Sequence, residues 1–288
     1  MLRNVFRNIY RTFHLEKPYA YFRHLFKPTG HIRNFVIFPI GVFFRSLGLC
    51  NAKDKEIIKL RNRYKGGRAF VVCSGPSLTK EDVMLLKDEC TIGMNTIFKM
   101  SEMIDWTPTY YLYLEADGLD KLLDNTTLDL KKVSTEYSII NSLNRNLADD
   151  PKVLILHYCW LDHYFLFGSK KFKYDPELFH GMYDFYSTGH AAVLLAIYMG
   201  LKDIYIIGAD NNYMGKQHHF ENVNCKGIIE SFSEIDKNDI GLRSQNGMDM
   251  GWKELVKVAK RMNVNIYNAT RGGRLEVFPR VRLEDVLK

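Results

Sequence analysis

The chain has 288 residues, 46% hydrophobic and 25% charged, a globular composition with enough apolar residues for a real core and unlike that of an acidic disordered chain. Its formal net charge of +7 lies entirely in residues 1–50, which hold eight basic residues (Arg3, Arg7, Arg11, Lys17, Arg23, Lys27, Arg33, Arg45) and one acidic residue, Glu16. Residues 51–288 are therefore neutral, which excludes a uniformly basic nucleic-acid-binding body.

Taken in chain order, residues 1–50 read as a basic arm. Leu2, Val5, Phe6, Ile9, Tyr10 and Phe13 recur at helical spacing on one face, and Arg3, Arg7 and Arg11 form a second stripe. Tyr19, Tyr21, Phe22, Leu25 and Phe26 follow, among Arg23, His24 and Lys27. A basic amphipathic segment with aromatics suits the surface of an anionic membrane, where each basic residue contributes roughly 1 kcal/mol. The arm, over residues 1–45, is thus expected to meet a membrane surface; packing on the body or on a second subunit, in a homo-oligomer, is the alternative. No nucleic-acid motif follows it. The run 35–44 is apolar over ten residues, short of the ~20 that span a bilayer. Without a signal-peptide pattern, and with five cysteines (Cys50, Cys73, Cys90, Cys159, Cys225) that share no metal-ligand or disulfide spacing, the expected location is cytoplasmic, peripheral at the inner face of the membrane.

From residue 51 on, a short polar helix leads to Gly66 and Gly67, and then short apolar runs alternate with helical patterns. Residues 70–73, 91–94, 110–114, 137–140, 153–156, 204–207 and 264–267 read as strands, and 80–86, 190–199 and 252–261 as helices. This alternation predicts an α/β fold, a mostly parallel sheet with helices on both faces, in one domain over 51–288. Segment 211–250, polar and weakly periodic, reads as a lid.

Five motifs, at strand ends, at one helix start with the strand after it, and in the lid, offer candidate chemistry. After the first strand come Ser74, Gly75, Pro76 and Ser77, with Thr79 and Asp82 placed to cap a helix. The carboxyl end of such a strand is where α/β sheets take phosphate-bearing ligands, although neither GxGxxG nor a Walker loop is present. Asn95, after the second strand, suits a ribose or base edge, or a helix cap. Glu115 and Asp117 follow the third strand at i, i+2, the spacing of metal-binding DxD motifs, or else act as a solvated residue and a cap. Ser187, Thr188 and Gly189 open the most apolar helix, where hydroxyl and amide donors can meet a phosphate. Gly208 and Asp210 follow the next strand. In the lid, His218 and His219 offer a general base with an ordinary pKa near neutrality, or a solvated pair.

The order of these segments resembles one superfamily: the strand–SGPSL turn, GMNTIF, YLYLEAD, STGHAAVLLAIYMGLKDIYIIGAD and NATRGGRLEVFPRVRLEDVL, covering about residues 68–285. It contains the archaeal hydroxymethylpterin pyrophosphokinase-like proteins and the flagellin-modifying motility accessory factors, and its core resembles that of bacterial sialyltransferases using CMP-activated sugars. The resemblance implies a Rossmann-like, sialyltransferase-like glycosyltransferase core with a nucleotide-sugar donor. Ser74, Gly75, Pro76 and Ser77 would hold the donor phosphate or ribose, Asn95 the nucleotide, Ser187, Thr188 and Gly189 the cytidine or phosphate, and Gly208 and Asp210 the ribose or base. This chain has Phe185 and Tyr186 where the sialyltransferases place an Arg, and residues 238–243 contain no His where theirs is catalytic. The base therefore falls to His218 or His219, with Glu115 or Asp117 as the alternative and Tyr213 beside the leaving group.

The leading expectation is a glycosyltransferase that extends a lipid-linked surface polysaccharide or glycan by direct displacement, without a metal cofactor. The alternatives are a 6-hydroxymethylpterin pyrophosphokinase-like diphosphotransferase, which would need Mg²⁺, and a non-catalytic nucleotide-binding scaffold.

Overall fold

The computed structural model describes residues 38–114, 128–141, 149–159, 174, 176–177, 182–183, 187–212 and 237–288. The amphipathic stripe of residues 2–13 lies outside them, as do Glu115, Asp117, Tyr213, His218 and His219.

Helix α1 (Phe38–Ser46) carries Pro39 in its first turn, where a missing N–H is tolerated. It ends in a Schellman motif: Leu49 N donates to Phe44 O at 3.0 Å, Gly48 N to Arg45 O at 2.9 Å, and Gly48 has φ +79°. Ile40, Phe43, Phe44, Leu47 and Leu49 are all exposed. Among the described residues no helix is long and apolar enough to cross a membrane.

Helix α2 (Ala52–Lys59) starts with a reciprocal capping box between Asn51 and Asp54. It is fastened to the sheet edge by Lys53, whose Nζ donates to Asp150 O at 2.7 Å and Val153 O at 2.9 Å, and by Asp54, whose Oδ1 lies 2.6 Å from His157 Nε2.

The remaining elements are β1 (Arg68–Val72), α3 (Lys80–Met84), β2 (Thr91–Met94), a 3-10 helix (Asn95–Glu102), β3 (Tyr110–Tyr113), β4 (Tyr137–Asn141), β5 (Val153–Leu156), β6 (Tyr158–Cys159), β7 (Met182–Tyr183), α4 (Thr188–Tyr198), β8 (Asp203–Ile207), α5 (Lys237–Met262), β9 (Asn265–Asn268) and α6 (Leu283–Val286). All seven predicted strands join one sheet in the order β5-β4-β3-β2-β1-β8-β9, and every pairing is parallel; β6 and β7 form a separate parallel pair. The expected α/β architecture is what the chain adopts. The order runs outward from β1 in both directions, so the topological switch point lies between β1 and β8.

The strands are buried on both faces, as parallel strands require. Ala69, Val71, Ile92, Leu112, Ile204 and Ile206 face one core, with α2, α4 and α5 over them. Phe70, Val72, Tyr111, Tyr113, Ile140 and Ile155 face the other, covered by α3, the 3-10 helix and α6. Helix α4 is buried from Gly189 through Tyr198, which explains why its sequence is apolar all round instead of amphipathic.

One boundary differs from the sequence reading. Residues 237–250 are helical and form the first part of α5, where the sequence reads as a weakly periodic loop. Asn, Gly and Asp have low intrinsic helix propensity, but this stretch continues an amphipathic helix whose second half, with Trp252, Leu255 and Val258, is buried in the core. Packing overrides the local preference.

The Asp54–His157 pair makes a pH prediction. Burial alone would raise the Asp54 carboxyl, but the hydrogen bond and charge of His157, the Asn51 amide and the Arg45 charge together hold it below its ordinary value. A depressed carboxyl stabilises the fold above its unfolded pKa of about 3.9 and loses that contribution as pH falls through the lower folded value. Hydrogen exchange is expected to show residues 51–60 loosening below about pH 4, and His157→Ala is expected to cost about 2 kcal/mol at neutral pH, measured by urea unfolding.

Candidate functional site

The carboxyl ends of β1, β8 and β9 are drawn together around Asp210. After β1, Cys73 N donates to Ile207 O at 3.0 Å and Gly75 N to Gly208 O at 2.9 Å. Ser77 donates to Asp210 Oδ2 twice, from its backbone N at 3.1 Å and from Oγ at 2.9 Å. From the other side, Arg274 N donates to Asp210 O at 2.7 Å, and Ala209 N donates to Thr270 Oγ1 at 3.1 Å.

Glycines make this contact sterically possible. A Cβ on Gly75 would lie 2.2 Å from Asp210 Oδ2 and 2.4 Å from Gly208 O. One on Gly208, at φ +65°, would lie 2.5 Å from Cys73 O, and one on Gly273, at φ +72°, 2.8 Å from the Asp210 backbone. Both positive φ values lie where L side chains are disfavoured.

The structure brings Gly75 and Ser77 of one motif together with Gly208 and Asp210 of another. It also shows that Ser77 and Asp210 bind one another, and that Gly75 gives way to Asp210 Oδ2. Ser74 is buried beside them and Pro76 is exposed. Cys73, at the base of the turn, has its thiol pushed up to about 12 by burial and then by the Asp210 charge, so it is not a nucleophile at neutral pH.

Helix α4 opens at the same place. Ser187 Oγ accepts from Gly189 N at 3.0 Å and caps the helix, with Thr188 half-buried beside it. A Cβ on Gly189 would sit 3.3 Å from Trp252 and 3.5 Å from Cys73 Sγ. On the flank, Thr79 caps α3 through Asp82 N at 3.1 Å, as its spacing predicts. The Asp82 carboxylate is taken instead by Arg271, at 2.6–2.9 Å. Side-chain hydrogen bonds to Asp82 and Glu284 raise the Arg271 guanidinium above its usual range.

Asn95 does not cap the 3-10 helix: Met94 occupies the cap position, without a side-chain bond. Asn95 takes φ +50°, and its carbonyl accepts from Tyr111 Oη at 2.6 Å. Among the described residues its buried Oδ1 has no hydrogen-bond partner, and neither have the buried Thr96 Oγ1 and Asn211 Oδ1. Buried polar atoms of this kind are rare, and each costs about 1–3 kcal/mol. These three follow β2 and β8, the two strands that flank β1.

Sequence reasoning missed several residues here. Asn211 donates from Nδ2 to Asp249 Oδ1 at 2.7 Å, which ties the β8 loop to α5. His190, fully buried, lies with its Nδ1 3.2 Å from Tyr174 Oη and its ring edge-on to Trp252 at 4.2 Å. Arg280 donates to the carbonyls of Thr270, Gly272 and Gly273 and so shapes the β9 loop. Arg274, in that loop, is exposed, and among the described residues its guanidinium has no hydrogen-bond or ion-pair partner. The RGGR spacing was visible in the sequence, but which arginine stays unpaired depends on the loop's fold. Among the described residues no three His, Cys, Asp or Glu side chains are grouped to hold a metal ion.

Residues 49–216 match the sequence profile of the 6-hydroxymethylpterin diphosphokinase MptE-like family, more than half of the chain. The chain belongs to this family. No curated protein matches its sequence. Among solved structures it is similar to the MAf glycosyltransferase from Magnetospirillum magneticum AMB-1 (14% identity, TM-score 0.43, 81% of this chain), of which it spans 38%. It is also similar to the sialyltransferase CstII from Campylobacter jejuni in complex with cytidine-5'-monophosphate (15% identity, TM-score 0.47, 75% of this chain and 85% of that one). CstII in complex with CMP-3FNeuAc gives 14% identity and a TM-score of 0.45 over 74% of this chain and 86% of that one.

For this family member, the packing of α5 on α4 makes a steric prediction. A Cβ on Gly251 would lie 2.2 Å from His190 Cε1 and 2.6 Å from Tyr174 Oη. Gly251→Ala is expected to lower stability by about 2–3 kcal/mol, whereas Gly272→Ala, with open space around it, costs about 1 kcal/mol through its left-handed backbone. Urea unfolding of the two variants measures the contrast.

Proposed function

We propose that this protein is a nucleotide-sugar-dependent glycosyltransferase acting on a lipid-linked glycan at a membrane surface. The observation that carries the ligand site is the set of buried, unpartnered atoms of Asn95, Thr96 and Asn211 on either side of the β1 turn. Open α/β sheets bind ligands at the carboxyl ends of the strands beside the switch point, and a bound nucleotide would supply the donors these atoms lack. The sequence resemblance to the bacterial sialyltransferases supports a CMP-linked donor. Among the described residues of a neutral body, Arg274 is a counter-charge available to the donor phosphate.

In this reading an acceptor hydroxyl attacks the anomeric carbon of the donor sugar. The bond from that carbon to the phosphate oxygen breaks, and CMP leaves with the bonding electrons. His218 or His219 takes the hydroxyl proton, with Glu115 or Asp117 as the alternative base and Tyr213 near the departing phosphate.

The second reading, diphosphate transfer from ATP to a hydroxymethylpterin with Mg²⁺, is favoured by the description of the family. Against it, the described carboxylates at this edge are engaged by protein donors. Asp210 accepts from Ser77, Asp82 from Arg271 and Asp249 from Asn211.

The nucleotide class is read by thermal shift. CMP, UMP and GMP are compared with ATP plus Mg²⁺, and CMP is expected to raise Tm most. Stabilisation by ATP alone would transfer support to the diphosphotransferase reading.

The membrane part rests on the exposed side chains Ile40, Phe43, Phe44, Leu47 and Leu49, which adjoin the basic arm. Phe43→Asp together with Phe44→Asp is expected to reduce co-sedimentation with anionic phosphatidylserine liposomes at least tenfold while leaving Tm unchanged. Undiminished binding removes this surface from the membrane role.

A further inference from the structure

Asn211 has a property that its orphaned neighbours lack: its amide cannot turn round. Nδ2 donates to Asp249 Oδ1 at 2.7 Å. A flipped amide would set Oδ1 against the carboxylate, two acceptors without a proton between them. Asp249 thus fixes the amide so that Oδ1 is always the unengaged atom. That oxygen is buried without a donor, on a side chain whose residue is only 7% exposed.

Its place is equally constrained. Asn211 follows Asp210, which Ser77 holds by the carboxylate and Arg274 by the carbonyl. Its own backbone has φ +50°, a left-handed conformation that Asn tolerates better than most residues. On the other side it reaches α5 through Asp249. An oriented acceptor at the ligand edge of β8, without a donor among the described residues, is placed to take an O–H or N–H from a ligand.

We propose that Asn211 Oδ1 accepts a hydrogen bond from a hydroxyl or amino group of the bound nucleotide, and that Asp249 is a positioning residue acting through Asn211. Asn211 is thereby a specificity-determining residue for the ligand, and it links occupancy of the site to the position of α5. This rests on the nucleotide reading of the site given above.

The shared chemistry has two sources in a cytidine nucleotide, the ribose 2'-hydroxyl and the exocyclic amine, which the ligand series separates. Calorimetry of the full chain with CMP, 2'-deoxy-CMP and UMP gives the wild-type pattern. Asn211→Gly is the informative variant, because glycine accepts the left-handed backbone and removes only the amide. It is expected to weaken CMP about tenfold, the effect of one lost hydrogen bond to a fixed acceptor. It should also abolish the wild-type preference for CMP over whichever of 2'-deoxy-CMP or UMP lacks the recognised group. Asp249→Ala is expected to weaken CMP by a similar factor, and the double variant to bind no more weakly than Asn211→Gly alone. A purely structural role for Asp249 would make the two losses multiply.

If wild type binds CMP and Asn211→Gly binds it equally well with the same preference, the proposal is wrong while the nucleotide reading stands. If wild type binds none of the three nucleotides, both fail together. Should Asn211→Gly not fold, Asp249→Ala decides: unchanged CMP affinity and preference overturn the proposal.

Discussion

The Asp210 carboxylate, held by two donors of Ser77, is the contact on which the arrangement of this edge depends. A parallel sheet delivers its strand ends to one side but leaves the loops to find their own positions. Here the β1 turn reaches across the switch point to grip the β8 loop, and the β8 loop receives the β9 loop through Asp210 O. The grip works at this distance because Gly75, Gly208 and Gly273 present no side chain to the opposing backbone. Three loops from three strands thereby act as one surface.

The same constraint explains how charge is distributed there. Asp210 is engaged, Asp82 is engaged by Arg271, and Arg280 is turned onto the carbonyls of the β9 loop. Among the described residues, what the edge leaves without protein partners is one guanidinium and a few amide and hydroxyl oxygens. The surplus of positive charge lies in residues 1–50, with exposed apolar side chains of α1 at its end, outside the neutral body whose strand ends form this edge.

The strands were legible because each is short, apolar and β-branched or aromatic, with turn residues at its ends. The motifs at their carboxyl ends were legible for the same reason, since Ser, Gly, Asn and Asp break strands wherever they fall. Their partners were not legible. Ser77 and Asp210 are 133 residues apart, and each looked like a ligand contact, yet they contact one another. Asn211 looked like one more polar loop residue. The start of α5 was hidden because residues 237–250 are locally poor helix formers, carried into the helix by the packing of Trp252, Leu255 and Val258.

The sequence alone determined the element types, the parallel architecture and the side of the sheet on which chemistry-bearing residues gather. It did so because burial on two faces demands continuous apolar runs, and a strand end demands turn residues. Only the tertiary structure decided which of those polar residues satisfy each other and which are left over. That division depends on contacts between loops far apart in the chain, and on whether a neighbouring glycine lets two backbones close to hydrogen-bonding distance. Local sequence pattern carries no record of either.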